Sequence, residues 1–330
     1  MIEACLYGAS SHRTVRVSPG VPVELQPRID MLLREQAELE SALEQWSQAS
    51  TSSQPLSHET VRMRQALSTS LLDHWRARVA GRTSRPILIE SFALAEFAQR
   101  LPETFYQNTN GLLLRNVIAD GHQLNQFLSR FPNIETLEMM GHTLPMDAPP
   151  RVLSALPKLH TLALVDQGMR VDQAALEYLS SLSNVSSLDL SENVLDPISF
   201  SPALARHWET LTLDNVGISV WPQWLDSLLP GNIDVLSLER NQLTELPDEI
   251  LRNRRNRSAH AEISLNGNPL SRETMIRAHV SEHDHARSYS FYMDLPADIR
   301  AMPTEQAWSS EALSSDDGSN SDYDSDASVH

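Results

Sequence analysis

Leucine and other apolar residues recur through the middle of the chain at intervals of about 25 residues, in short stretches where apolar and polar positions alternate. The clearest stretch, residues 233–247, is IDVLSLERNQLTELP and fits the template LxxLxLxxNxLxxLP. Eight stretches can be aligned on the second apolar position of that template. The residues at this position are Ile87, Leu112, Leu137, Leu162, Leu188, Leu211, Leu236 and Ile263. Two positions further on the residues are again apolar: Ile89, Leu114, Met139, Leu164, Leu190, Leu213, Leu238 and Leu265. One such unit cannot bury its own apolar face, so the pattern predicts a stack of neighbouring units.

The predicted fold class is therefore α/β, a leucine-rich-repeat solenoid of about eight repeats over residues 83–270 with a curved parallel sheet. Short helical stretches are expected between the strands, at 94–101, 122–131, 173–182 and 222–229. The asparagine position of the template holds Phe92, Val117, His142, Gln167, Asn193, Val216, Asn241 and Asn268. Because asparagine side chains pair turn backbone in such units, other groups or water must do so where asparagine is absent.

Segments outside the repeats divide the rest of the chain. Residues 1–58 hold a helix at 23–46 followed by a Ser-rich linker, and 59–82 form a second helix that would cover the first repeat, with Gly81 as its C-terminal cap. The first helix either packs on the rest of the chain or forms a coiled-coil contact. Residues 271–288 are expected to be a capping helix that starts at Ser271, and 289–330 a disordered acidic tail.

Composition excludes several functions. The formal charge of −17 disfavours nucleic acid, whose phosphates need a basic surface, and favours a basic partner. The single Cys5 excludes a disulfide framework, and no apolar run approaches the ~18 residues that span a bilayer. The first 20 residues lack the basic and apolar regions of a Sec signal peptide, so we expect no membrane span and no Sec export.

The variable residues of such a sheet lie on its concave face, which makes the exposed strand positions the candidate binding site. In the first half these positions form an apolar stripe flanked by charges, and in the second half they are polar and acidic. The candidate protein-binding residues are Leu88, Glu90, Leu113, Arg115, Glu138, Met140, Ala163, Val165, Asp189, Asp214 and Glu239, and Ser191 is expected to be exposed beside them. An apolar patch next to an acidic one is typical of a surface that binds a basic or amphipathic protein.

Catalytic chemistry finds little support in the residues. His279, His283, Asp284 and His285 suggest a metal site, but solvated residues at a fraying helix end explain them better. Cys5 has no predicted base beside it. Ser314, Ser319 and Ser321 each have an aspartate three residues on, as acidophilic kinase sites do, but a solvated, unmodified tail explains them better. We expect no metal, no cofactor and no catalytic residue.

Several segments resemble one family of bacterial proteins. The LLDHW-R helix at 71–76, FLSRFPNIETLEM at 127–139, LTELPDEI at 243–250 and ISLNGNPLS at 263–271 are similar to the repeat region of the NEL-type (IpaH-like) effector ubiquitin ligases. The resemblance spans about residues 66–270. It implies a repeat module that recognises host proteins after delivery by a type III-like route. The ligase domain and its Cys-x-Asp motif are not found in this sequence, so no catalytic residue is carried over.

The sequence thus predicts a non-enzymatic protein-binding module, a monomer that resembles a secreted bacterial effector and binds a host protein through its concave face. Two alternatives stay open. The chain could be the substrate-recognition part of a degenerate or split ubiquitin ligase, or an intracellular leucine-rich-repeat scaffold. The expected location is accordingly the host cell, reached by a type III-like route, or the cytoplasm.

Overall fold

The computed structural model describes residues 25–49, 57–81, 86–91, 94, 101–141, 146–229, 231–251, 260–282 and 289–302. This part of the chain is α/β, as predicted, and contains a nine-stranded parallel sheet. The strands are β1 (Ile87–Glu90), β2 (Gly111–Arg115), β3 (Thr136–Met140), β4 (Thr161–Val165), β5 (Arg170–Val171), β6 (Ser187–Asp189), β7 (Val194–Leu195), β8 (Trp208–Thr212), β9 (Ile233–Ser237), β10 (Ala261–Ser264) and β11 (Tyr289–Tyr292). The two short strands β5 and β7 pair only with each other, and the other nine form the sheet in chain order.

The register of the sheet confirms the sequence alignment. Ile87 is paired with Leu112, and the same row continues through every aligned residue to Ile263. Side chains in this row are buried, as are those two positions further on, while the positions between them are half-buried or exposed. Because successive side chains of a strand point to opposite faces, one face of the sheet packs on the core and the other is open.

Helices connect and flank the strands. They are α1 (Gln26–Gln48), α2 (His58–Val79), α3 (Glu103–Asn108), α4 (Gly121–Leu128), α5 (Gln173–Ser181), α6 (Asp248–Leu251), α7 (Arg272–Glu282) and α8 (Ala297–Arg300), with 3-10 turns at Arg151–Ala155, Pro202–Leu204 and Gln223–Ser227. The predicted helices at 122–131 and 173–182 correspond to α4 and α5, and the one at 222–229 is a 3-10 turn. Helix α3 was not predicted, and residues 95–100 lie outside the described part of the chain.

Helices α1 and α2 form a pair at the β1 end of the sheet. Leu39 and Leu43 of α1 are each 1 % exposed and belong to the same apolar core as Leu71 of α2, so the interpretation that α1 packs on the rest of the chain is confirmed. Arg64 of α2 is buried and donates to the carbonyl oxygen of Trp46 over 3.0 Å, which pairs the backbone at the end of α1. Helix α2 contacts β1, the position expected of a segment that covers the first strand.

The C-terminal end of α2 and the N-terminal end of α7 have the predicted capping residues. Gly81 has φ of 71°, the left-handed conformation that favours glycine after a helix. Ser271 Oγ accepts from the backbone N–H of Thr274 over 3.1 Å, so this serine caps α7.

The expectation that a disordered tail begins at residue 289 is wrong for residues 289–302. Tyr289–Tyr292 form β11, which pairs in parallel with β10 and places Phe291 beside Ile263. Tyr289 and Phe291 are each 4 % exposed, and Ile299 of α8 is fully buried. Tyr289 and Phe291 add a ninth strand and extend the apolar core. Their burial makes order favourable despite the polar residues around them. Residues 303–330 lie outside the described part.

Across the described segments, no helix combines the length and apolar character that crossing a bilayer requires.

Candidate functional site

The open face of the sheet carries all the predicted site residues that lie in strands. Register places Leu88, Leu113, Glu138, Ala163 and Asp189 in one row across five neighbouring strands. A second row, two residues further along the strands, contains Glu90, Arg115, Met140 and Val165. Asp214 lies two residues after the end of β8, and Glu239 lies two residues after the end of β9. Both residues continue the second row. We call these two rows the open face.

The β1 to β4 half of the open face is largely apolar. Leu88 is 37 % exposed and pairs in register with Leu113, which is half-buried. Met140 and Val165 are neighbours in the second row and are also half-buried. Arg115 lies beside Glu90 at 3.8 Å, and this exposed ion pair contributes little stability. Apolar side chains on adjacent strands at a sheet surface provide area that a partner could bury.

The β6 to β10 half is polar and acidic, and its side chains are linked from strand to strand. Asp214 Oδ1 accepts from Ser237 Oγ over 2.6 Å and from the backbone N–H of Glu239 over 2.8 Å. Glu239 Oε1 in turn accepts from Asn266 Nδ2 over 2.8 Å, and Asp189 Oδ1 accepts from Ser191 Oγ over 2.6 Å. These bonds hold the carboxylates in defined positions, so the acidic half is pre-organised.

Asp214 differs from the other acidic residues of the open face in its environment. Burial raises the pKa of its carboxyl group above the ordinary value, and the nearby charges of Glu239 and Asp189 raise it further. The hydrogen bonds from Ser237 and Glu239 act in the opposite direction and lower the pKa. A cation docked beside Asp214 would stabilise the ionised carboxylate.

The turn after each strand is built on one repeated backbone conformation. The fourth residue after the aligned apolar position has a positive φ in eight successive turns: Ser91, Asn116, Gly141, Asp166, Glu192, Asn215, Arg240 and Gly267. Six of them are followed directly by a described residue at the asparagine position, whereas Ser91 and Gly141 are followed by residues 92 and 142, which lie outside the described part. The turns thereby redirect the chain from the open face into the core at the same point of each unit.

The asparagines that follow these turns pair turn backbone, as the template predicted, and the structure shows that they also join neighbouring units. Asn241 Nδ2 donates to the carbonyl oxygens of Leu213, Leu238 and Glu239, and its Oδ1 accepts from the N–H groups of Val216 and Ile218. Asparagine therefore pairs the backbone of its own turn and of the preceding one, which explains how the turn with Val216 is satisfied without a polar side chain of its own. Asn193 bonds in the same way. Asn268 Nδ2 donates to the carbonyl oxygens of Leu238 and Leu265, and its Oδ1 accepts from the N–H group of Leu243.

Some expectations about exposure are wrong. Ser191 is only 6 % exposed, because its hydroxyl group turns to Asp189. His279 is 8 % exposed within α7, so it is not a solvated residue at a frayed end. His142, Phe92, Cys5, His283, His285 and the tail serines lie outside the described residues. Within the described ranges, no three His, Cys, Asp or Glu side chains are grouped to hold a metal ion.

Comparison with known proteins gives no family for this chain. No protein-family model matches the sequence, and no curated protein matches it at a significant level.

Proposed function

We propose that the chain is a leucine-rich-repeat solenoid whose open face, on the concave side, binds a protein partner with a basic or amphipathic surface. The observation that carries the proposal is the division of one sheet face into an apolar half around Leu113, Met140 and Val165 and an acidic half around Asp189 and Asp214. Protein interfaces combine an apolar centre with complementary charge at the edge, and this face offers both.

The two halves suggest different contributions to binding. Burial of the apolar side chains would supply most of the affinity, at roughly 25 cal/mol for each Å² removed from water. The acidic half would orient the partner and speed its association, because its carboxylates attract a basic surface over a distance of about one Debye length. Held in place by hydrogen bonds, those carboxylates lose little conformational entropy when the partner docks.

The biological setting is proposed from sequence resemblance. The segments at 71–76, 127–139, 243–250 and 263–271 resemble the repeat region of effector ubiquitin ligases, which supports an effector-like protein that binds a host protein. In this proposal the chain acts by occupying its partner as a monomer and performs no chemistry on it.

Charge substitution in the apolar half tests the binding face. The triple variant Leu113→Lys, Met140→Lys and Val165→Lys removes the apolar contact and adds repulsion toward a basic partner. We expect partner capture from host-cell lysate to fall at least tenfold while the circular dichroism spectrum stays unchanged, because all three side chains lie on the open face.

A matched control uses apolar residues exposed elsewhere. Ile118, Val194 and Val220 are 64 %, 53 % and 78 % exposed and lie outside the two rows of the open face. Their replacement by lysine should leave capture intact. Equal loss in both triple variants, or capture unaffected by the first, would show that the partner does not bind the open face.

A further inference from the structure

The open face of the sheet has the width of one α-helix. Strand β4 shows three outward positions, Thr161, Ala163 and Val165, and all three side chains are half-buried. Four residue steps separate the first of these positions from the third, which is about 13 Å along a strand. An α-helix with its side chains is about 10–12 Å wide, so a single helix laid across the strands covers this width.

The spacing of the strands matches a helix better than an extended chain. Register brings equivalent positions of neighbouring strands side by side from β1 to β9, at a strand spacing of about 4.8 Å. One helical turn rises about 5.4 Å, so a helix laid across the strands places a side chain near each of them in turn. Side chains on one side of an extended chain repeat every ~6.6 Å and fall out of step with the strands.

The first row of the open face lets a helix approach closely. From β4 to β9 this row contains Ala163, Asp189, Thr212 and Ser237, which register pairs in succession. These side chains are short, so they leave room for the backbone of a helix above them. The row therefore gives the helix a path that runs across the strands.

The apolar and acidic halves lie at a fixed separation along that path. The apolar half is centred near β3, with Leu113, Met140 and Val165 on β2, β3 and β4. The acidic half is centred near β8, with Asp189 on β6 and Asp214 after β8. Three strand spacings separate β3 from β8, which is about 14 Å. That distance corresponds to about ten residues of an α-helix.

Two arginines lie on or beside the open face, and each has an acidic neighbour. The guanidinium group of Arg115 is 3.8 Å from the carboxylate of Glu90, and that of Arg240 is 4.0 Å from Glu192. The charges within each pair offset one another. The carboxylates of the acidic half therefore keep their net negative charge.

This charge favours a basic segment of another protein over other occupants of the open face. Residues 303–330 of the chain contain seven acidic side chains and no lysine or arginine. A second copy of the chain has the same formal charge of −17. The acidic half repels both of these, whereas it attracts lysine or arginine.

We propose that the open face binds one α-helix of another protein, laid across the strands. Its apolar side chains cover β2 to β4, and its lysine or arginine side chains lie over β6 to β9, about ten residues away. Six strand spacings separate β1 from β9, or about 29 Å, which sets the length of the helix at about 19 residues. This inference rests on the proposed function, because it names the element that the open face binds.

Three synthetic peptides of about 20 residues test this geometry with the full chain. The first carries leucines at helical i, i+3 and i+4 positions in one half and lysines on the same face in the other half. The second differs only by a proline at its centre. The third has the composition of the first, with leucines and lysines interleaved. The first two are made with either half at the N-terminus, and the tighter order is compared.

Fluorescence anisotropy should show that the first peptide binds about tenfold more tightly than the other two. Proline breaks the helix, and interleaving places lysines over the apolar half. Leu113→Lys should weaken binding of the first peptide about tenfold and Asp214→Asn about fivefold. Ile118→Lys is the matched control, because Ile118 is 64 % exposed outside the open face, and it should leave binding unchanged.

Equal binding of the first and second peptides would overturn the helix, as would the absence of binding by all three. Binding that both Leu113→Lys and Asp214→Asn leave unchanged has the same consequence. Self-association in sedimentation that Leu113→Lys abolishes would assign the face to a second copy and also overturn the inference. In each case the triple lysine variant tests the proposed function separately: lost partner capture retains the open face as a binding surface, and retained capture removes it.

Discussion

Asn241 offers the sharpest test of how neighbouring units are joined, because one small side chain serves two turns. It is 4 % exposed and makes five hydrogen bonds to backbone, at 2.8, 3.0 and 3.3 Å from Nδ2 and at 3.0 and 3.1 Å to Oδ1. Replacement by alanine removes every one of them. The N–H groups of Val216 and Ile218 then stay buried without an acceptor.

The expected cost follows from those two donors. A buried group left without its partner costs about 1–3 kcal/mol, so Asn241→Ala should lower the free energy of unfolding by about 2–6 kcal/mol. Urea unfolding followed by circular dichroism measures this difference. Hydrogen exchange gives a local measure, since the amide protons of Val216 and Ile218 should lose protection more than those of distant units.

Asn266→Ala is the matched control. Asn266 is half-buried, and its Nδ2 donates to Glu239 Oε1 over 2.8 Å, so deletion of this one bond should cost about 1 kcal/mol or less. A cost at Asn241 no larger than at Asn266, together with unchanged exchange at Val216 and Ile218, would refute the idea that asparagine joins the units.

Two further predictions concern the core and the acidic half of the open face. Leu236 is fully buried in the aligned row, so Leu236→Ala should lower the free energy of unfolding by about 2–5 kcal/mol in urea, and an unchanged midpoint would contradict the register. Burial raises the pKa of Asp214 in the fold above its ordinary value of 3.8, which makes ionisation costlier in the folded state than in the unfolded one. Below pH 3.8 the free energy of unfolding of the wild type should therefore match that of Asp214→Asn. As the pH rises from 3.8 through the folded pKa, the wild type should become less stable than the variant. A stability difference that stays constant over these pH values would show that Asp214 is not desolvated.

Strand positions and their register followed from the sequence because two regularities coincide. Alternation of apolar and polar residues marks a strand with one buried face, and a nearly constant spacing brings the same position of each unit together. Leu112, Leu137 and Leu162 are aligned in the sequence and paired in the sheet for this reason. The positions of the candidate site residues follow from the same alternation, because the residues between the buried positions must face away from the core.

Strand β11 shows where this reasoning ends. Its sequence, Tyr-Ser-Phe-Tyr, alternates without leucine, and Phe291 follows Ile263 at a longer interval than any other aligned pair. Polar residues dominate the segments around it, so composition predicted disorder. The edge of β10 nevertheless offers unpaired backbone groups, and pairing with them orders residues that would not be stable alone.

The sequence by itself determined the α/β class, the strand register and the face on which the candidate residues lie, because these depend only on the order of apolar and polar residues along each unit. The tertiary structure decided which side-chain hydrogen bonds form within and between neighbouring units. It placed Asn241 across two turns and turned the Ser191 hydroxyl group to Asp189. The physical reason is that hydrogen bonds depend on distances between neighbouring units, to within a few tenths of an ångström, and a repeat pattern carries no such distances.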